Sequence, residues 1–291
     1  MTTVVQTEAR PTALPPPEAI MGRAGGENFP VASRLLPRRQ RDHLLALYGY
    51  ARLVDDAGDE SAGDRDALLD AIERELDRVF AGEPRHPLMR SLAATVRDCD
   101  LPRAPLEALL SANRQDQRVR SYGTFAELEA YCELSANPVG RLVLQVFGAA
   151  TPERVARSDR ICTALQLTEH WQDIAEDFGR GRVYMPAEDL HRFGCSPRDL
   201  GARPAPGHVR QLVRFEVERA REMLRAGAPL IHTLRGRPRL AVAAFVAGGR
   251  AALAAIERVG FDVSHGPPRA SRSARLGFLV AALTPSRGEA R

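Results

Sequence analysis

Two stretches of this chain place acidic side chains at helical spacing inside segments otherwise built for burial, and few folds can accommodate that. Residues 48–60 read YGYARLVDDAGDE. On an α-helix Tyr48, Arg52, Asp55 and Asp59 advance by 4, 3 and 4 residues and share one face, with Asp56 beside them. Residues 166–177 read QLTEHWQDIAED, where Gln166, Glu169, Asp173 and Asp177 advance by 3, 4 and 4. The opposite face of this second segment carries Leu165, Trp171 and Ile174, which belong in a core. Either stripe alone reads equally well as a solvated acidic helix face. Two of them on helices that must be buried are costly unless cations or metal ions compensate them. The chain therefore has to enclose a polar site between helices.

The rest of the sequence agrees with an all-α fold. Ala, Leu and Arg dominate and aromatics make up only 5%, a mix that favours helix. No pair of alternating β-branched runs flanks an Asn-Gly or Asp-Gly turn. With 291 residues, 44% of them hydrophobic, one helical domain with a sizeable core is expected over residues 21–285, as a helical bundle around a central cavity. Residues 1–20, rich in Thr and Pro, are expected to be a disordered tail. The predicted helices are Asn28 to Leu36, Arg38 to Asp56, Asp64 to Phe80, Pro87 to Cys99, Pro105 to Arg118 and Thr124 to Cys132. They continue with Pro138 to Phe147, a long Pro152 to Asp177, Val209 to Ala226, Arg239 to Val259 and Ala270 to Leu283. Thr124 with Glu127 forms a capping box, and Gly58 signals a helix end.

Composition also excludes several classes. The net charge of +4 is small and Arg is dispersed, so a nucleic-acid partner is not expected. Cys99, Cys132, Cys162 and Cys195 show no metal-binding spacing and read as reduced thiols of a cytoplasmic protein. The longest apolar run, Leu240 to Ile256, is interrupted by Gly248, Gly249 and Arg250 and falls short of a membrane span. Peripheral contact with a membrane stays compatible with this reading.

Carboxylate oxygens on facing helices suit Mg²⁺, a hard cation that keeps some waters and shares phosphate oxygens. The metal candidates are Asp55, Asp56, Asp59, Asp173 and Asp177. Together the stripes describe carboxylates that hold metal ions, which in turn hold a diphosphate. Arg180 and Arg182, just behind the second stripe, can steady such a group by charge-assisted hydrogen bonds, or simply complement a helix C-terminus.

These residues resemble the squalene and phytoene synthase family, and the resemblance runs from Glu27 to Leu283. One motif is Tyr48, Arg52, Asp55, Asp56 and Asp59. The other is Gln166, Asp173 and Asp177 followed by Gly181-Arg182-Val183-Tyr184-Met185-Pro186. The resemblance implies a single-domain isoprenoid synthase fold, Mg²⁺ dependence and chemistry on C15 or C20 diphosphates. It implies catalytic roles for Asp55, Asp59, Asp173 and Asp177, and substrate contacts for Tyr48, Arg52, Gln166 and Arg182, with Glu169 a further substrate-contact candidate of this chain's own. It also places Tyr131 in the cavity, Asp116 beside the diphosphate, and Ser33 as a polar anchor. The stretches Glu27 to Ser33, Ser135 to Gly140 and Trp171-Gln172-Asp173 are similar to the hydroxysqualene synthases of bacterial hopanoid pathways. That branch expels diphosphate from presqualene diphosphate and captures the cation with water. A separate pathway enzyme then performs the reduction, in keeping with the lack of a GxGxxG dinucleotide signature here. Two positions depart from the family pattern: Glu169 stands where Asn is common and adds either a metal ligand or a general base, and His170 stands where an apolar residue is usual.

Asn137 either orients the water or caps the helix that begins at Pro138, and capping is the plainer expectation. Ser33 is as well read as a helix cap. Candidate cavity walls are Phe29, Val31, Leu47, Leu142, Val143, Leu165 and Phe245. Rival chemistry is weaker. A di-metal redox bundle needs Glu-x-x-His on two helices, and of Glu188-x-x-His191 and Glu83-x-x-His86 the second is broken by Pro84. An inactive assembly factor would have no reason to keep buried carboxylates. Within the family the alternatives are condensation of two farnesyl diphosphates and a phytoene-type reaction. Oligomeric state is not fixed by the sequence.

Overall fold

The computed structural model describes residues 14–22, 36–59 and 63–284. A short α1 (Pro17–Met21) precedes α2 (Arg38–Asp59), α3 (Arg65–Ala81), α4 (Pro87–Cys99), α5 (Arg103–Asp116), α6 (Phe125–Ser135) and α7 (Asn137–Val146). Then come α8 (Pro152–Gln172), α9 (Ile174–Gly179), α10 (Ala187–Arg192), α11 (Gly207–Gly227), α12 (Leu230–Thr233), α13 (Gly236–Arg258) and α14 (Arg272–Leu283). Among the described residues the one β-type contact is an isolated parallel bridge between Ser121 and Val183.

Local chemistry sets these boundaries. Asp64 and Thr151 accept the N–H of Ala67 and Arg154 at the starts of α3 and α8. Thr124 accepts from Glu127 N at 3.2 Å, while the Glu127 carboxylate takes the N–H of Gly123 at 2.7 Å, one residue before the expected box partner.

Two apolar cores form, and α7 joins them. One gathers Tyr50, Leu53, Leu69, Leu92, Leu106 and Leu110 from α2 to α5, and receives Leu142 and Val146 from α7. The other surrounds Leu167 and Trp171 of α8 with Val213 and Val217 of α11 and Val246 and Ile256 of α13. Asp55 of the first stripe and Gln166 and Glu169 of the second border a cavity whose walls draw on both cores.

Several expectations need correction. The tail does not stay unstructured to residue 20: α1 buries Ile20 to 1% exposure, and the Pro15 carbonyl meets His86 Nε2 at 3.0 Å. The predicted single helix Pro152 to Asp177 breaks at Asp173, whose φ of −103° and ψ of 11° leave the helical region. The hydrogen bonds from Asp173 N to Glu169 O and from Asp177 N to Asp173 O persist across the break, so the axis bends without a gap. Gly58 lies in the last turn of α2, one residue before its end at Asp59. A Cβ there would run into Asn113 Oδ1, so glycine is needed for the close approach of α5. Asn137 occupies the first helical position and makes no cap; its Oδ1 accepts from Thr163 Oγ1 at 3.0 Å, which ties α7 to α8. The 23-residue α13 is long and apolar enough by length and composition to cross a membrane, yet half of its apolar window is buried in the second core. The predicted helix Asn28 to Leu36 lies, apart from Leu36, outside the described residues.

Behind the second stripe, Glu216 is 0% exposed and meets Arg219 at 3.0 Å, and Arg219 also holds Asp189 of α10 at 2.8 Å. The guanidinium lies 4.0 Å from the centre of the Phe125 ring. One cation against two carboxylates leaves the cluster short of positive charge. Burial, with Asp189 alongside, pushes Glu216 up to about 8. A carboxyl whose pKa is raised on folding stabilises the fold fully below its unfolded value and loses that contribution as pH rises through the folded value. Thermal stability should therefore decline between about pH 4.5 and 8. Glu216→Gln should flatten that decline and unfold at a higher temperature than the parent at pH 9. A melting series in which the two curves run parallel refutes the assignment.

Candidate active site

Two cavities open at the seam between the cores. The larger, ≈ 400 Å³, is walled by apolar side chains of α2, α5, α7, α13 and α14, including Leu47, Leu142, Val143 and Phe245. The smaller, ≈ 280 Å³, carries Asp55, Gln166 and Glu169 among apolar walls that include Leu165, Val143 and Phe245. Five of the seven predicted wall residues thus border one or both spaces. Phe29 and Val31 lie outside the described residues, as does Ser33.

The first stripe divides its tasks. Asp55 is held by Asn113, whose Nδ2 donates to its Oδ1 at 3.2 Å. Burial outweighs that bond and pushes the Asp55 carboxyl up to about 6. Asp56 pairs with Arg52 at 2.9 Å, one helical turn away. Asp59 points instead across the site and accepts from Arg182 Nη2 at 2.7 Å. Tyr48, expected beside the carboxylates, lines the larger apolar cavity.

The second stripe approaches through Arg182. A turn with Gly181 at φ 76° sends the chain back along residues 120–123. Val183 N donates to Arg120 O at 2.8 Å and Ala187 N to Tyr122 O at 2.9 Å. This pinning leaves the Arg182 side chain only 13% exposed, with its charge felt by Asp59, Asp116, Asp177 and His170. Asp177 is pushed up to about 7 by burial and by the charge of Asp173, and burial likewise raises Asp173. Arg180 lies on the surface, paired with Glu176 at 2.8 Å. Of the two arginines the sequence offered, Arg182 is the buried one and reaches Asp59, while Arg180 faces solvent.

A cluster of rings backs this arrangement. Tyr131 donates to Asp116 Oδ2 at 2.6 Å and Tyr184 to Asp116 Oδ1 at 3.5 Å. Burial raises Asp116 and takes the Tyr131 and Tyr184 hydroxyls above their usual range. His170 stacks on Tyr184 with ring centres 3.7 Å apart at 14°. Burial, helped by Arg182, lowers the imidazole to about 3, so it stays neutral. A neutral Nε2 can accept, and Gln166 Nε2 lies 3.2 Å away. Neither Tyr131 nor Asn137 lines either cavity; the Tyr131 hydroxyl donates to Asp116 and the Asn137 Oδ1 accepts from Thr163. The sequence reading missed Asn113 and the His170–Tyr184 stack. Asn113 sits one turn before Asp116 on α5, a spacing visible in the sequence.

The donor set suits a hard divalent cation, since every candidate ligand is a carboxylate oxygen. Asp55, Asp173 and Asp177 all lie above the usual carboxylate range, which is the mark of buried anions short of positive charge. Among the described residues no three acidic, imidazole or thiol groups converge on one point. Asp56 and Asp59 are instead engaged by Arg52 and Arg182.

The squalene/phytoene synthase family model matches residues 23–275. The chain is 35% identical over 188 residues to the phytoene synthase of Rhodobacter capsulatus, covering 63% of this chain and 55% of that protein. It is 36% identical over 213 residues to the hydroxysqualene synthase of Sinorhizobium fredii, covering 72% of each. Among solved structures, squalene synthase HpnC from Alicyclobacillus acidocaldarius superposes with a TM-score of 0.78 at 46% identity, over 83% of this chain and 92% of that one. The sequence match and the helical architecture agree: this chain belongs to the squalene/phytoene synthase family.

Proposed function

We propose that this protein converts presqualene diphosphate to hydroxysqualene, a carbon–oxygen bond-breaking step followed by capture of the cation by water. The observation that carries the reading is the smaller cavity, where Glu169 stands with Asp55 and Gln166 among otherwise largely apolar walls. Similarity to a hydroxysqualene synthase and to HpnC supports it. Mg²⁺ would be held by Asp55, Asp59, Asp173 and Asp177, and when bound it supplies charge neutralisation for the departing diphosphate. Arg182 donates hydrogen bonds to the same group. The apolar walls exclude bulk water, so the hydrocarbon cation persists until one chosen water reaches it. That water's oxygen forms the new carbon–oxygen bond, and its proton passes to Glu169, which with Asp55 assigned to the metal is the remaining carboxylate lining that cavity. His170 keeps Gln166 in place.

A second reading, condensation of two farnesyl diphosphates or a phytoene-type coupling, is favoured by the adjoining larger cavity and by the phytoene synthase relatives. The test is to incubate the protein with presqualene diphosphate and Mg²⁺ in H₂¹⁸O, without a nicotinamide cofactor. Label in a hydroxysqualene product is the expected result. Glu169→Gln should still release diphosphate but divert the cation to hydrocarbon products. An unlabelled hydrocarbon from the parent protein, or presqualene diphosphate accumulating from farnesyl diphosphate, moves the assignment to the second reading.

A further inference from the structure

The paired helices α13 and α14 expose apolar side chains in a cationic setting that the reaction does not use. Leu276 and Val280 on α14 are 62% and 59% exposed, and Leu240 on α13 is 42% exposed. The two helices lie side by side, with Arg239 Nη2 donating to Leu283 O at 2.9 Å. Leu240 of α13 and Leu279 of α14 both line the ≈ 400 Å³ cavity, and Arg237 stands at the same wall. The exposed apolar residues are therefore immediate neighbours of that cavity's lining. Charge is one-sided here. From Arg235 through the end of α13 there are Arg235, Arg237, Arg239, Arg250 and Arg258 against one acidic residue, Glu257 in the last turn, which pairs with Arg221 at 2.9 Å. Residues 263–284 contain Arg269, Arg272 and Arg275 and no acidic residue.

We propose that this face docks on an anionic lipid bilayer, with Leu240, Leu276 and Val280 entering the headgroup boundary and the arginines meeting lipid phosphates. Exposed apolar side chains flanked by an excess of Arg are the composition of an interfacial element. An anionic leaflet attracts such a segment over about a Debye length. An acidic protein would also answer the charge, but it would not account for an apolar cavity adjoining the same face. A bilayer answers both, because a hydrocarbon chain can then pass between lipid and cavity without crossing water. The docking face stands whatever the reaction; only its use as a passage rests on the proposed isoprenoid substrate.

The test is sedimentation of the full-length protein with phosphatidylcholine vesicles, with and without 30 mol% phosphatidylglycerol (roughly the charge of an anionic leaflet). Binding to the anionic vesicles alone is expected. It should fall as salt rises from about 0.1 to 1 M, which shortens the Debye length from about 10 to about 3 Å. Leu276→Asp with Val280→Asp should weaken binding at least about tenfold, since each side chain withdrawn from an apolar phase is worth about that factor. Both residues are exposed and outside the cavities, so the melting temperature and turnover in detergent should match the parent. Arg235→Gln with Arg272→Gln should reduce the salt dependence. Equal binding by the double Asp variant overturns the proposal. So does a parent protein that ignores vesicles, or one that forms a dimer which the Asp substitutions abolish.

Discussion

Asp55→Ala and Asp177→Ala are each expected to lower turnover of an isoprenoid diphosphate by about a thousandfold or more, without unfolding the protein. The basis is that each carboxylate sits where negative charge is otherwise poorly tolerated. Asp55 is raised to about 6 by burial and Asp177 to about 7 by burial and Asp173. Groups kept against that penalty are kept for a partner that neutralises them, and loss of a metal ligand removes several kcal/mol of transition-state stabilisation. In the presence of EDTA the same substitutions should leave the melting temperature unchanged or higher, because a buried carboxylate without a counter-ion is removed. EDTA should silence the parent protein, and added Mg²⁺ should restore it. Measured product formation by either variant within tenfold of the parent (about 1.4 kcal/mol) would count decisively against a metal role.

The second large effect separates two arginines that are only two residues apart. Arg182→Met should cost about a hundredfold or more in kcat, while Arg180→Met should remain close to the parent. Arg182 holds Asp59 at 2.7 Å and is largely buried among Asp59, Asp116 and Asp177. Its removal takes away both a diphosphate donor and the cation that balances three carboxyl groups, so the melting temperature should fall as well, by the equivalent of about 1–3 kcal/mol. Arg180 sits in an exposed pair with Glu176, an arrangement worth about 0.3–0.5 kcal/mol. Steady-state kinetics and thermal unfolding of the two variants, side by side, provide the check. Equal losses in both would mean that the buried position of Arg182 carries no functional weight.

The parts legible from sequence are those fixed by local periodicity. The 3.6-residue repeat put Asp55 and Asp59 on one face of α2, and Glu169 beside Gln166 on α8, because helical phase alone decides these placements. The apolar walls Leu47, Leu142, Val143, Leu165 and Phe245 followed from the same phase. Long-range geometry was not legible. Arg180 and Arg182 differ only in where the turn at Gly181 sends each side chain. The bend at Asp173 leaves the local hydrogen bonds in place, so no breaker residue announces it. Asn137 has the cap residue's chemistry next to Pro138, but Thr163, 26 positions later, claims its side chain. The stack of His170 on Tyr184 likewise depends on a crossing of distant segments.

Val139, Val143 and Phe245 border both cavities, whereas Asp55, Gln166 and Glu169 border the smaller one alone. These three apolar side chains thus act as a partition, and the carboxylates stand clear of it. Trimming or enlarging the partition redraws the apolar volume available, and whether it is one space or two, while Asp55, Gln166 and Glu169 stay where they are. Under the proposed function, capacity for the chain and chemistry at its head fall to separate residues. A descendant of this sequence could therefore change the size of molecule it accepts through apolar exchanges alone, with the ionising end inherited intact.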